Sequence, residues 1–220
     1  MNYPVSFNLS FTTNSYSGKY YAFEGIDGSG KTTQAEKLVS YFESQGKNVL
    51  FTKEPTDGII GKLILDVLHG KEKVTPTALQ HLFTADRAEH LENTIIPALK
   101  EGTYVISDRT FWSSVAYGAS DLEVAQNEKD RLLAAFNILA MYGGFLIPDK
   151  TFLIAVPCEL GMQRVEERKR EKTLYEKKEE LLKRVASEYA FLAEKFPDCI
   201  TTIDGTKDIE TIYNSILAKL

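Results

Sequence analysis

Eight consecutive residues, Gly25-Ile26-Asp27-Gly28-Ser29-Gly30-Lys31-Thr32, restrict what this chain can fold into more than any other stretch of it. They fill the pattern GxxxxGK[ST], whose residue types each have a mechanical reason. Glycines let the backbone curl until successive N–H groups point inward at phosphate oxygens, and a helix starting at the end of the loop adds the positive end of its dipole. The context agrees: a β-prone run, 20–24, comes before the loop, and a helical pattern begins at Lys31. Residues 25–32 and the adjoining Thr33 are therefore expected to hold ATP or GTP. Lys31 would reach the β and γ phosphates, and the Thr32 hydroxyl would hold Mg²⁺. The loop leaves open whether the phosphoryl group passes to water or to a bound acceptor.

Short β-prone runs alternate with longer amphipathic segments from Lys19 onward, the pattern of a parallel sheet with helices on both faces. Strands are expected at 20–24, 48–52, 104–107, 151–156 and 200–203. Helices are expected at 31–44, 59–68, 77–100, 130–142, 159–169, 175–195 and 209–219, with apolar residues recurring at three or four. Gly46, Gly70, Gly102 and Gly205 stand where helices should stop. The fold class is α/β: a P-loop three-layer sandwich around a five-stranded parallel sheet. Residues 1–18 read as a polar, poorly ordered extension and 19–220 as one domain.

Composition narrows the partners. With 43% hydrophobic and 26% charged residues over 220 positions, the chain can build one sizeable core. A formal charge of -5 argues against covering a nucleic-acid polymer, which needs a surplus of Lys and Arg. No apolar run approaches the roughly 20 residues that span a bilayer, so no membrane partner is expected. Two distant cysteines, Cys158 and Cys199, suggest neither a disulfide framework nor a zinc site, and fit a cytosolic setting. The charge-dense stretch from Arg164 to Arg184 reads, on charge alone, as a solvated helical hairpin.

Three clusters fall beyond the carboxyl ends of strands or beside them, where ligands of such sheets gather. Ser107-Asp108-Arg109 leads into Thr110-Phe111-Trp112-Ser113-Ser114-Val115-Ala116-Tyr117. Its Asp-Arg pair could put a carboxylate near Mg²⁺ and a guanidinium fork on an acceptor phosphate, or could equally be a salt bridge or helix cap. Lys53-Glu54-Pro55 follows the second strand. Phe83 and Arg87 lie four apart on a helix and share a face, a workable base-binding pair, although a lone Phe is more often core.

Together these residues resemble the thymidylate kinase family, from about Tyr20 to the C-terminus. Phe23-Glu24 with the phosphate loop resembles its opening, Lys53-Glu54-Pro55 its Arg-Glu-Pro motif, Leu82-Phe83 with Asp86-Arg87 its base-binding helix, and Asp108-Arg109 its Asp-Arg-Tyr segment. The resemblance implies transfer of a phosphoryl group from ATP to dTMP. It implies that Phe83 stacks on thymine, Arg87 bonds the base, Ser114 contacts it, and Tyr117 lies against the sugar and disfavours a 2′-hydroxyl. Arg109 would grip the acceptor phosphate with Lys53 nearby, and Asp27 and Asp108 would help Thr32 place Mg²⁺. Arg164, Arg168 and Arg170 would belong to a small helical lid at about 164–176. Because Gly28 occupies a phosphate-loop position where some relatives carry the catalytic arginine, the lid must supply it. A homodimer packed through long helices is expected by analogy of fold.

The chain departs from the family pattern at Thr110, where Tyr is usual, at Gly118, where many bacterial relatives carry Gln, and at Thr173, where a lid Asp is common. A kinase of another nucleoside monophosphate or of a deoxynucleoside shares most of these features. A GTPase-like switch would need an Asn-Lys-x-Asp loop, which does not follow the phosphate loop.

Overall fold

The computed structural model describes residues 10–121, 128–167 and 179–220. Strands β1 (Tyr20–Glu24), β2 (Val49–Lys53), β3 (Tyr104–Asp108), β4 (Lys150–Ala155) and β5 (Ile200–Asp204) form one parallel sheet in the order β2-β3-β1-β4-β5. All five positions of β1 are buried. With helices on both faces, its Tyr-Tyr-Ala-Phe-Glu run has no solvent side and shows no alternation. From β1 the chain crosses to β2 on one side, and from β3 it crosses back past β1 to β4 on the other, so a crevice opens beyond the carboxyl ends of β1 and β3.

Helices α1 (Lys31–Ser44) and α9 (Ile209–Leu217) cover one face, where Leu38, Phe42, Ile212 and Ile216 pack on Phe23, Phe152 and Ile154. The other face carries α5 (Phe111–Asp121), α6 (Glu128–Leu139), α7 (Cys158–Glu167) and α8 (Glu179–Lys195), whose Trp112, Val115, Leu139, Val185 and Leu192 share a core with Leu153 and Ile200. Between β2 and β3 run α2 (Ile59–Leu68), α3 (Pro76–His90) and α4 (Ile96–Lys100). The architecture is the expected three-layer sandwich.

Four local expectations change. The helix read as 77–100 is interrupted by a π-turn, Leu91–Ile95. Pro97 has no N–H to give to the carbonyl four residues back, and the wider turn absorbs the mismatch. Helix α5 was not foreseen, because Phe-Trp-Ser-Ser-Val-Ala-Tyr-Gly is a poor helix sequence by propensity. A distant residue secures it, as the site below shows. Gly205 does not end a helix: it follows β5, and a Cβ there would lie 2.7 Å from both Ile154 and Val156 side chains, so close approach explains it. Finally, residues 10–18 are not a loose extension. Thr12 pairs with the backbone of Phe145 and Ile147 at 2.9 and 3.0 Å, and Phe11 lies 5.4 Å from the Phe111 ring.

Candidate active site

The phosphate loop turns at Gly25, Gly28 and Gly30, all with positive φ. Gly30 starts α1 without any side-chain cap, so the first N–H groups of the helix stay available to an anion. Gly28 is required twice over: its φ is +81, and a Cβ would sit 2.0 Å from the Gly161 carbonyl oxygen on α7. No arginine could stand there. Ile26 points into the core and can serve a ligand only through its backbone. Lys31 is 7% exposed, with Nζ 3.4 Å from Asp27 Oδ1. Burial and the neighbouring Arg109 lower its pKa, against the pull of Asp27, Asp108 and Glu24.

The end of β3 meets this loop. Thr32 donates its hydroxyl to Asp108 Oδ2, while Asp108 Oδ1 is buried with no hydrogen-bond partner among the described residues. The next residue, Arg109, is the only described non-glycine with positive φ, at 77°. That backbone is held by Arg109 N–H donating to Phe23 O at 2.9 Å and Ser107 Oγ donating to Arg109 O at 2.7 Å. Its guanidinium donates to Asp27 Oδ1 at 2.6 Å, Ser113 Oγ at 2.9 Å and Gly25 O at 3.2 Å.

Beside Arg109 lies a cavity of about 170 Å³. Of the residues named from sequence, Asp27, Glu54, Pro55, Phe83, Arg109, Ser114 and Tyr117 line it. Leu65, Leu68, Asp86, Thr110 and Ser113 line it too and were missed as site residues. Arg87 is not part of the lining. It is 1% exposed and gives its Nη1 to Glu54 Oε1 at 2.6 Å and Tyr20 at 2.8 Å, and its Nη2 to Leu146 O at 3.1 Å. Only its Nε lacks a hydrogen-bond partner among the described residues. Burial pushes the Glu54 pKa up, but Arg87 and His90 more than offset that and leave it below the usual range. Lys53 stands outside the cavity, 54% exposed and 3.3 Å from Asp57.

A second group missed from sequence surrounds Glu24, which is 1% exposed at the end of β1. Its Oε1 accepts the backbone N–H and hydroxyl of Thr110 at 2.7 and 2.9 Å, and its Oε2 accepts Ser113 Oγ at 2.6 Å and Tyr189 OH at 2.9 Å. This carboxylate caps α5 from 86 residues away. Thr110 suits that role, since both its donors are used. Burial drives the Glu24 pKa up, opposed by Arg109, Ser113, Tyr189 and Thr110.

On the other side of the loop, Gly28, Ser29, Gly30, Thr33 and Gln34 line a larger cavity, of about 710 Å³, with Arg164, Lys207 and Asp208. Arg164 lies 3.4 Å from the Ser29 carbonyl and donates to Gly205 O at 3.3 Å, bracing the loop from outside. Arg168, Arg170 and Thr173 lie outside the described residues. So does most of the lid expected at 164–176.

A parallel sheet of this order, with an open phosphate loop on its central strand and a cavity beside it that joins apolar walls to charged and hydroxyl groups, defines a P-loop α/β protein that handles nucleotides. Comparison with known proteins narrows the class. The thymidylate kinase family model matches residues 23–216. A protein of Thermococcus kodakarensis named as a probable thymidylate kinase is 41% identical over 207 residues, 90% of this chain and 95% of that protein. A thymidylate kinase of Bifidobacterium longum subsp. infantis is 36% identical over 210 residues, 93% of this chain and 86% of that one. The structure of thymidylate kinase from Candida albicans shares the fold, with a TM-score of 0.78 at 24% identity over 94% of this chain and 92% of that one. The chain belongs to the thymidylate kinase family.

Proposed function

We propose that the protein transfers the γ-phosphoryl group of ATP to dTMP, giving ADP and dTDP, with Mg²⁺ at the donor site and no phosphoenzyme. One observation carries this reading: the end of β3 serves both partners of such a transfer. Asp108 reaches Thr32 of the phosphate loop, and Arg109 lines the cavity that Phe83 also lines. Phosphoryl transfer asks chiefly for in-line positioning and for cancellation of developing charge.

Lys31 and the open N-terminus of α1 take the ATP phosphates. Thr32 and Asp108, whose Oδ1 has no hydrogen-bond partner among the described residues, would hold a Mg²⁺ ion, with Asp27 next to Lys31. An ion held there would supply positive charge to offset that of the phosphates. Arg109 grips the acceptor phosphate, Phe83 stacks on thymine with Ser114 at its polar edge, and Tyr117 lies against the deoxyribose, while Arg87, outside the lining, holds Glu54 in the cavity wall. Arg164 braces the donor side, and Arg168 and Arg170, which lie outside the described residues, are assigned by family resemblance alone as further lid arginines. We also propose that the protein works as a homodimer in the cytoplasm. Ile59, 89% exposed, and Leu63, one turn on, give α2 an apolar face, and Cys158 and Cys199 are free thiols.

The test is ADP release from MgATP with dTMP, dUMP, UMP, dCMP, dGMP, AMP and thymidine as acceptors. The highest kcat/KM should belong to dTMP. Another preferred acceptor would keep the donor-site chemistry and overturn the base assignment, and no turnover with any acceptor would overturn the kinase reading.

A further inference from the structure

Residues 10–18 precede the stretch that the family model matches, and nothing in the transfer described above uses them. They form a strap across the turn that leads into β4. Thr12 is tied to that turn three times: its N–H donates to Phe145 O at 2.9 Å, its carbonyl accepts from Ile147 N–H at 3.0 Å, and its hydroxyl donates to Gly144 O at 2.7 Å. Ser10 O accepts the Gly144 N–H at 2.9 Å as well. The turn carries Gly143 and Gly144, the second at a φ of 79°, so its own sequence gives it little stiffness. The strap supplies partners that this backbone would otherwise take from water. Phe11 seats it, with its ring 5.4 Å from Phe111 and 6.5 Å from Trp112 at the start of α5.

The strap is fixed further along too. Asn14 Nδ2 donates to Asp149 Oδ2 at 2.8 Å, and the same oxygen accepts the N–H of Tyr20, the first residue of β1, at 2.7 Å. Two segments are therefore held: the turn at 144–147 and the start of β1. Those segments carry two of the three hydrogen-bond acceptors that Arg87 serves among the described residues, Leu146 O at 3.1 Å and Tyr20 OH at 2.8 Å. The third is Glu54, which lines the acceptor cavity. A guanidinium is a planar fork whose donors keep a fixed geometry, so the places of two acceptors dictate where the third must lie.

We infer that residues 10–18 are a positioning strap for the acceptor site: by holding Leu146 and Tyr20 they aim Arg87, and Arg87 in turn sets Glu54 in the cavity wall. The inference rests on the reading that this cavity takes the acceptor nucleotide, and adds to it a segment outside the cavity lining. Loosening the strap weakens acceptor binding and spares the donor side, because Arg87 donates to Glu54, Tyr20 and Leu146 and to no residue of the phosphate loop.

The experiment compares the full-length wild type with T12P, which takes away the N–H and the hydroxyl of Thr12, and with F11A, R87K and T12P/R87K. Ile216→Val, in the buried core under α9 and outside both cavities, loses stability without touching the strap. Each protein is read by thermal melt, by steady-state KM for dTMP and for MgATP, and by calorimetric titration of dTMP. T12P and F11A should each raise the dTMP KM about fivefold, with kcat and the ATP KM little changed, the scale of one lost hydrogen bond. I216V should lower the Tm and leave both KM values alone. T12P should add little to the dTMP KM in the R87K background, where the link from Leu146 to Glu54 is already cut. Folded T12P and F11A with a wild-type dTMP KM overturn the inference. So does a joint rise of the dTMP and ATP KM values, which would mark the strap as stabilising the whole fold. If one of the two variants fails to fold, the other decides. A wild type that binds dTMP but turns over no acceptor overturns the kinase reading and leaves the titrations to judge the strap. A wild type that binds no dTMP overturns both.

Discussion

Tyr189→Phe removes a single oxygen and asks whether Glu24 anchors the wall of the acceptor site. The ring stays in its core cluster, so packing is kept. What is lost is one of the four hydrogen bonds to the buried carboxylate, the 2.9 Å bond to Oε2, together with the 2.8 Å bond to Ser113 Oγ and the 3.3 Å contact from Arg109 Nη1. A hydrogen bond to a charged group contributes about 1.5–3 kcal/mol, and Ser113 still serves the same oxygen, so a loss of about 2 kcal/mol is expected. For a chain of this size that is a Tm lower by roughly 4–8 °C. The sign with pH follows from Glu24. Its folded pKa lies above its unfolded value, so its own contribution is full below the unfolded pKa and is lost as pH rises through the folded one. Tyr189 favours the ionised form, so removing it raises the folded pKa further. The variant's deficit should therefore be full at a pH above the raised folded pKa and shrink at one below it, where the carboxyl is protonated in both proteins. Kinetics should show a higher dTMP KM with little change in the ATP KM, because Arg109 is the residue released. Calorimetry at the two pH values checks the first claim. The same Tm deficit at both would show that Tyr189 does not act through the ionised carboxylate.

Phe83→Ala should raise the acceptor KM by roughly 5- to 150-fold with kcat little changed, since base stacking contributes about 1–3 kcal/mol, and an unchanged KM would remove Phe83 from the base site. Gly28→Ala should lower both the Tm and the affinity for an ATP analogue, because its Cβ would meet the Gly161 carbonyl 2.0 Å away. Wild-type analogue affinity in a titration would mean that α7 yields without cost. Asp108→Asn should raise the Mg²⁺ concentration for half-maximal turnover by about tenfold or more, and an unaltered Mg²⁺ titration would place the ion elsewhere.

Much of the fold could be read from sequence because its signals are local. β1 and α1 fall on the expected residues, since the phosphate loop fixes one end of each. Helix α5 could not be read that way: its stabilising partner is Glu24, on another strand, and nothing in Phe111 to Asp121 advertises it. The site divides along the same line. Glu54, Pro55, Phe83, Arg109, Ser114 and Tyr117 carry motif signals and converge on one cavity. Sharing a helix face with Phe83 did not bring Arg87 into the lining, because Glu54 draws its guanidinium beneath the cavity. Leu65 and Leu68 look like ordinary core residues of an amphipathic helix, and only packing turns them toward a ligand. Tyr189 carries no signal at all, lying on a helix whose pattern reads as plain amphipathic.

The left-handed turn at Arg109 explains how one strand end can reach both the phosphate loop and the cavity beside it. In a regular strand neighbouring side chains point to opposite faces of the sheet, so Asp108 and Arg109 would be split between its two layers. A φ of 77° breaks that alternation, and Asp108 faces Thr32 while Arg109 turns along the loop to Asp27 and Ser113. Such a backbone costs of order 1–3 kcal/mol for a residue other than glycine and persists only where its surroundings fix it. Here they do so through Phe23 O, Ser107 Oγ and five acceptors around the guanidinium. Glycine would relax the strain but bring no cation, and lysine would bring a cation without the fork that reaches Asp27 and Ser113 together. An arginine in a conformation it disfavours is what allows a single strand end to meet the phosphate loop through Asp108 and the neighbouring cavity through Arg109 in one rigid relation.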